Sequence, residues 1–372
     1  MTWQADEPYN DLPHLPPQSE IETRTVLKLA IEARAALASL EQAAQGMPNA
    51  AVLINSIGLL EAQASSEIEN IVTTTDELFK YAQAESAATD PATREALRYR
   101  TALYEGFRSV QVRPLSVSTA VEVCTLIKQR DMGIRRLAGT YIGNPATHQA
   151  IYTPPTGEST IRDKLTNWQD FIHGDDDLDP LVTMAVAHYQ FEAIHPFEDG
   201  NGRTGRVLNV LLLVSAGLLS QPILYLSKYI IENKSSYYRL LQGVTEDQDW
   251  QSWTLFMLEG IRQTSVSTVH KIRAIKELQQ HLHEVLRDTM SGGVNADFLA
   301  VLFEQPYCRI ASVMSRCSVS RPTATSWLNG LVEVGVLLKV PVGRERLYVN
   351  TAFMDLLTRD EGVAAAEAPT LF

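Results

Sequence analysis

The stretch His195-Pro196-Phe197-Glu198-Asp199-Gly200-Asn201-Gly202-Arg203-Thr204-Gly205-Arg206 gathers residue types suited to handling phosphate. It follows the apolar run LVTMAVAHYQFEAI and precedes VLNVLLLVSAGLL, so the pattern predicts a helix, a loop and a second helix opened by Gly-Asn-Gly. Glycines let a backbone approach a ligand closely, and the free N–H groups of a helix N-terminus favour an anion. Arg203 and Arg206 stand on neighbouring positions of that second helix and can fork onto phosphate oxygens. Asp199 offers a hard oxygen suited to Mg²⁺ bridging phosphates. His195, at the other end of the loop, can take a proton from an incoming hydroxyl as a neutral imidazole. Taken singly, each feature has an ordinary explanation: a turn, a helix-end histidine, solvent-facing arginines. Together they describe phosphoryl or nucleotidyl transfer.

The rest of the chain must hold these groups. Its 372 residues are 45% hydrophobic and 20% charged, with 20 Gly and 17 Pro. That composition suits two or three globular domains and excludes collagen-like, disulfide-stapled or wholly disordered chains. Lys and Arg number 32 against 44 Asp and Glu, a net charge of −12, so contact with nucleic acid or anionic lipid needs a local basic patch. Cys124, Cys308 and Cys317 lack metal spacing and read as thiols of a reducing compartment. Residues 1–20 are acidic and Pro-rich, unlike a signal peptide, and are expected to lie extended over the surface. The longest apolar run, 207–219, is too short to span a bilayer, so a cytoplasmic location without membrane contact is expected. Helical periodicity covers 20–88 with a break at Gly46-Met47-Pro48, then 92–135, then 161–284. Between them, 139–158 mixes β-branched and aromatic residues with Gly-Asn-Pro and Pro-Pro and predicts a short hairpin. Ser291-Gly292-Gly293 reads as a domain boundary, and the tail beyond 360 as loosely ordered.

The loop resembles the signature of the Fic family, HPF-x-[D/E]-GNGR-x-x-R, at every fixed position. The resemblance extends over about residues 50–260. It implies an all-α fold, a Fic helical bundle with a small β-hairpin flap. It also implies transfer of AMP from ATP to a Ser, Thr or Tyr hydroxyl of a protein, with pyrophosphate leaving. In that pattern His195 would be the general base and Asp199 would hold Mg²⁺ between the α- and β-phosphates. Gly200, Asn201 and Gly202 would line the anion hole, in one phosphate-binding stretch with Thr204 and Gly205. Arg203 would neutralise the phosphates and Arg206 would hold the γ-phosphate. The flap, 139–156, would pair with the target backbone. The segment LSKYIIENKSSYYRLLQGV resembles the family's adenine wall, giving Tyr238, Tyr229 and Asn233 as pocket candidates, although aromatics at helical spacing also mark a core. His188 and Glu192 read as packing and loop-holding groups. The family's inhibitory pattern, [S/T]-x-x-x-E-[G/N], fits Ser65, Glu69 and Asn70. It implies that Glu69 pairs with Arg206 and blocks the γ-phosphate. Ser65 and Glu69 share a helix face as i,i+4 neighbours, and Glu67 lies off it.

Beyond residue 295, ADFLAVLFE, IASVMSRC, SRPTATSWLNGLVEVGVL and LKVPVGRERLYVN run helix, helix, helix, hairpin. That order resembles a winged helix-turn-helix, with SVSRPTATSWLNGL as recognition helix and Val342-Gly343-Arg344 as wing tip. Arg309, Arg316, Arg321, Lys339, Arg344 and Arg346 outnumber the acids there, the footprint DNA contact requires, and such domains also dock proteins or dimerise. The expected units are an N-terminal helical region at 1–100, a Fic core at 101–260, a connecting helix at 261–290 and a winged-helix domain at 291–360. Three alternatives stay open: transfer of another phosphate-containing group, removal of AMP, and a DNA-binding regulator. Self-modification and a homodimer fit the same reading.

Overall fold

Residues 3–23 contain neither helix nor strand, yet they are tied down over the surface by hydrogen bonds to later segments. The computed structural model describes residues 3–359 except 48, 50, 84, 144–148, 175–176, 290–294 and 343–344. The first helices are α1 (Arg24–Gln45), α2 (Ala51–Ile68), α3 (Thr75–Tyr81), α4 (Pro91–Val110) and α5 (Val117–Lys128). Their starts follow local chemistry. Thr23, Thr74 and Asp90 accept from backbone N–H groups of the first turns, and Pro91 opens α4 where no donor is needed.

The expected hairpin is present as β1 (Ile142–Gly143) and β2 (Ala150–Tyr152), paired antiparallel; part of its span, 144–148, lies outside the described residues. Then come α6 (Glu158–His173), α7 (Pro180–Ile194), α8 (Asn201–Ser215), α9 (Leu226–Glu232), α10 (Lys234–Asp247) and α11 (Trp250–Thr289). The expected boundaries at 100 and 260 fall inside α4 and α11, which run unbroken. Gly260 lies within α11, and Tyr229 of α9 packs in the space a side chain there would fill. The expected boundary at Ser291-Gly292-Gly293 lies outside the described residues.

Helix α7 is the centre of the body. It is buried on every side, as an apolar helix without a polar face must be. Trp168 of α6 and Trp253 of α11 donate their indole N–H groups to its Ala187 and Ala185 carbonyls at 2.9 and 2.8 Å. Helix α8 returns beside α7, so the loop between them opens between two buried helices. Helix α2 packs on α4 and α9 and brings its C-terminal end to the start of α8.

The C-terminal unit contains α12 (Ala296–Glu304), β3 (Tyr307–Arg309), α13 (Ile310–Cys317), α14 (Arg321–Glu333), β4 (Leu337–Val342), β5 (Glu345–Asn350) and α15 (Thr351–Thr358). Its antiparallel sheet has the order β3-β5-β4, with Tyr348 opposite both Cys308 and Lys339. Strand β3, too short to show alternation, and α15 were not expected from the sequence. Gly343 and Arg344 of the expected wing tip lie outside the described residues. The unit rests on the body through Tyr307 to Asp76, Arg309 to the Lys80 carbonyl at 3.2 Å, and Lys271 of α11. The Lys271 ammonium caps the carbonyls of Leu356, Leu357 and Arg359 at 3.3, 3.2 and 2.7 Å. Among the described residues, no helix is long and apolar enough to cross a membrane.

Candidate active site

The loop 195–200 reverses the chain sharply, and it does so with left-handed backbone at both ends. His195 caps α7 at φ 49°, ψ 59°, and its N–H reaches the Phe191 carbonyl at 3.0 Å. Gly200 precedes α8 at φ 86°, a conformation that suits glycine. Asn201 clasps the turn: its amide oxygen accepts from Phe197 N–H and its NH₂ donates to the Phe197 carbonyl, both at 2.8 Å. Its side chain therefore staples the loop and leaves the backbone to face the cradle. Arg135 fixes the other side, donating to the His195 carbonyl at 2.8 Å, to Ile194 at 3.3 Å, and to the Pro155 carbonyl.

The cations of the cradle already carry carboxylates. Arg206 donates from Nε to Ser65 Oγ at 2.8 Å, and from Nη2 to the Ser65 carbonyl at 2.9 Å and Glu69 Oε1 at 2.7 Å. One turn of α2 thus grips one guanidinium, which explains the i,i+4 spacing of Ser65 and Glu69. Asn70 follows at φ 62°, a left-handed position where Asn or Gly is favoured, and its amide oxygen accepts from Lys234 at 3.3 Å. Glu67 points to solvent. The Glu69 oxygen also lies where a side chain on Gly202 would have to go, so an anion already sits over the first turn of α8. Arg203 is matched by Glu95 of α4 at 2.7 Å; Lys128 of α5 bridges Glu95 at 3.1 Å and pairs with Asp199.

Environment sets the protonation states. Burial, then Arg135, pushes the His195 imidazole down to about 4, so it is an uncharged base. Burial and Arg206 hold His188 neutral, at about 3; its Nε2 meets the Tyr237 hydroxyl at 2.9 Å and its ring stacks on Trp253. Burial raises the Glu192 carboxyl to about 7, against Gly205. Burial opposes ionisation of Glu69, but the Arg206 guanidinium outweighs it and holds the carboxyl below its ordinary value. Asp199 is lowered in the same way, with Lys128 outweighing burial.

The adenine candidates separate. Tyr238 stands at the cluster: burial and the nearby Glu69 raise its hydroxyl to about 12, and its ring meets Tyr237 edge-on at 5.2 Å. Tyr229 faces α11 instead, 5.0 Å from the Phe256 ring, and the Asn233 amide bonds the Tyr229 carbonyl at 3.0 Å across the α9–α10 junction. The sequence reading missed Glu95, Lys128, Arg135 and Glu61. Glu61, buried in α2, accepts from Tyr99 at 3.1 Å and from Ser227 N–H at 3.0 Å, and so fixes α2 to α4 and α9. Nothing in their local spacing marks these four residues.

This geometry can take a polyphosphate between two buried arginines and a helix N-terminus, beside a neutral imidazole. Among the described residues, no three His, Cys, Asp or Glu gather into a metal site. Asp199 alone suits Mg²⁺, which is commonly held by one or two carboxylates together with a nucleotide's own phosphates.

Residues 27–108 match the Fic/DOC family N-terminal model, 119–213 the Fic/DOC family model, and 278–353 the "Protein adenylyltransferase SoFic-like, C-terminal domain" model. "Probable protein adenylyltransferase aq_aa38" of Aquifex aeolicus (strain VF5) is 28% identical over 176 residues, 46% of this chain and 52% of that protein. "Protein adenylyltransferase fic-1" of Caenorhabditis elegans is 31% identical over 113 residues, 30% of this chain and 20% of that protein. The chain thus spans between a fifth and about half the length of these curated relatives. In fold it is similar to a Fic family protein from Desulfovibrio desulfuricans G20, with TM-score 0.54 and 19% identity over 90% of this chain and 98% of that one. A Fic domain containing signaling protein from Bacteroides thetaiotaomicron VPI-5482 gives TM-score 0.51 and 18% identity over 64% of this chain and 95% of that one.

Proposed function

The chain belongs to the Fic/DOC family, and from that premise we propose that it is a protein adenylyltransferase held in check by its own Glu69. The observation that carries this reading is the Glu69 carboxylate, paired with Arg206 and lying against Gly202 where a phosphate would bind. With Glu69 withdrawn, Arg206 is free for the γ-phosphate of ATP, and Arg203 and the α8 N-terminus face the other phosphates. His195 then takes the proton of a Ser, Thr or Tyr hydroxyl on a target protein, or on a second copy of the chain. The hydroxyl oxygen bonds to the α-phosphorus, the α–β anhydride bond breaks, and pyrophosphate leaves with its charge met by the arginines. Asp199 would hold Mg²⁺ against those phosphates, where the cation neutralises developing charge. Tyr238 is the residue at the cluster that could pack on adenine. The three cysteines, free and buried, suit a cytoplasmic setting.

We read the C-terminal unit as a winged helix that docks protein rather than DNA. Much of its basic excess is used within the chain: Arg316 pairs with Glu304 at 2.7 Å, Lys339 donates to Asn329 at 2.9 Å, and Arg309 reaches the Lys80 carbonyl.

The test is labelled AMP incorporation at saturating Mg²⁺-ATP by the parent, Glu69→Gly, Glu67→Gly and Arg206→Ala chains. A charge-assisted contact such as Glu69–Arg206 is worth about 1.5–3 kcal/mol, so its removal should raise incorporation roughly ten- to a hundredfold. Glu67→Gly should stay at the parent level. Arg206→Ala should not mimic Glu69→Gly, because it removes the phosphate contact along with the brake. Equal rates in parent and Glu69→Gly would end the inhibitory assignment.

A further inference from the structure

Residues 3–17 precede the first segment matched by a family model, which begins at residue 27, yet they reach the last turn of α7, just before His195, through one intermediary, strand β2. That strand needs outside support. Hairpin β1–β2 has two residues on one side and three on the other, and so short a ribbon is not stable alone. Two ties join the hairpin and the residues just after it to the last turn of α7 and to His195 at the start of the catalytic loop. The Tyr152 hydroxyl donates to the Ala193 carbonyl at 2.8 Å, and Arg135 links the Pro155 and His195 carbonyls.

The N-terminal arm supplies the rest. Tyr9 N–H donates to the Thr153 carbonyl at 3.0 Å, the Thr153 hydroxyl to the Ala5 carbonyl at 2.7 Å, and Thr156 N–H to the Asn10 side chain at 2.8 Å. The Tyr152 ring is held by Trp3, stacked at 6.5 Å, and by Tyr9, edge-on at 6.4 Å. The arm itself is anchored further along. Leu15 exchanges two hydrogen bonds with the Asn167 side chain at 2.8 and 2.9 Å, and buried Lys164 donates to the Leu12 carbonyl at 2.6 Å. Prolines at 8, 13, 16 and 17 restrict its backbone, so little freedom is lost on docking.

We infer that this arm is a positioning element: it sets β2 at a fixed place beside His195, so that a target segment lying along the flap presents its hydroxyl to the base. The inference rests on the adenylyltransferase reading above. It predicts a division of labour, because among the described residues the arm's hydrogen bonds and ring contacts go to the flap, α6 and α7 and not to residues 199–206.

The test places Trp3→Ala with Tyr9→Ala in a Glu69→Gly chain, and supplies an intact-arm His195→Ala chain as the protein acceptor. Label in the acceptor should fall roughly tenfold or more, since displacing a reacting group by about 1 Å can cost that much. Mg²⁺-ATP affinity, measured by calorimetry, should stay within about twofold, because the phosphate contacts are untouched. Hydrogen exchange of the 150–156 amides should quicken while that of 197–206 does not. Thr153→Val, which keeps shape and loses only the bond to Ala5, should move both readouts the same way by less. Undiminished label with Glu69→Gly active sinks the positioning role alone, as does an equal loss of ATP affinity. No label from Glu69→Gly itself sinks the adenylyltransferase reading, and unchanged exchange at 150–156 sinks the brace whatever the activity.

Discussion

The helical body buries charged and polar groups within its apolar core, whereas the described core of the C-terminal unit is almost wholly apolar. In the body Arg203, Arg206, Glu61 and His188 are 2, 3, 1 and 2% exposed. In the C-terminal unit the buried set is Phe298, Leu302, Phe303, Leu328 and Leu347, while Arg321 and Arg346 face solvent. Its buried polar groups, Gln305 and Asn350, are spent on neighbouring main chain, at 2.9 Å to the Tyr307 carbonyl and 3.1 Å from Phe353 N–H. Burying an ion costs several kcal/mol even when it is paired, so a fold does not gather ions inside for stability. Glu61, Lys164 and Lys271 are buried as ties between segments and His188 is neutral, so Arg203 and Arg206 are the buried charges that stand at the cradle. Whatever the C-terminal unit does, it does on its surface. The body's arginines are also preloaded, Arg206 with Glu69 and Arg203 with Glu95, so a ligand there must displace a carboxylate already present.

The largest effect expected within this contrast is at His195. Replacing it by Ala should lower AMP transfer by roughly 10²–10⁴-fold, the usual worth of a general base, while Mg²⁺-ATP binding persists, since the imidazole adds no charge to the phosphates. The imidazole accepts a proton only when neutral, and burial with Arg135 holds its pKa at about 4. Transfer by Glu69→Gly should therefore stay level as pH falls from about 8 to about 5.5 and drop only below that. A fall centred near the ordinary histidine value would mean that the imidazole is solvated, and the contrast between a dry body and a wet surface would lose its centre.

The motif loop was legible because its chemistry is local: a Gly-rich turn, a helix start and two arginines one turn apart need no tertiary information. Helix starts at Asp90-Pro91 and Asp179-Pro180 carry their own caps in the same way. Glu95 and Lys128 were not legible. Each sits in an ordinary helix, and only the packing of α4 and α5 against α8 brings them to Arg203 and Asp199. Tyr229 shows the converse, an aromatic at a plausible spacing that the fold turns toward α11. Glu61 is the extreme case, a carboxylate in an apolar helix whose partners Tyr99 and Ser227 lie 38 and 166 residues away. It also offers the second test. Glu61→Ala orphans those donors in the interior and should cost roughly 3 kcal/mol in urea unfolding. The same change at Glu333, exposed on α14, should stay within about 0.5 kcal/mol. Equal losses would erase the distinction between the two regions.

The smallest effect is expected where the two regions differ most, at the exposed arginines of the C-terminal unit. Arg321 opens α14 and Arg346 lies on β5, both solvent-facing, so Arg321→Ala and Arg346→Ala should shift stability by no more than about 0.5 kcal/mol. Their bearing on nucleic acid follows from counting. Each phosphate neutralised contributes about −0.9 to the slope of log affinity against log salt. Arg309, Arg316 and Lys339 already have partners within the chain. That leaves Arg321, Arg346 and Arg359, with Arg344 outside the described residues, and hence a slope no steeper than about −4. A chain of net charge −12 opposes even that. Titration of mixed-sequence duplex with the full chain at about 50, 100 and 200 mM salt should give weak binding, little altered by Arg321→Ala. A steep slope, near −6, that flattens by about one in Arg321→Ala would show the surface to be a DNA reader. Protein docking would then be the wrong assignment for this unit, and the basic residues paired within the chain would have to exchange their partners for phosphate.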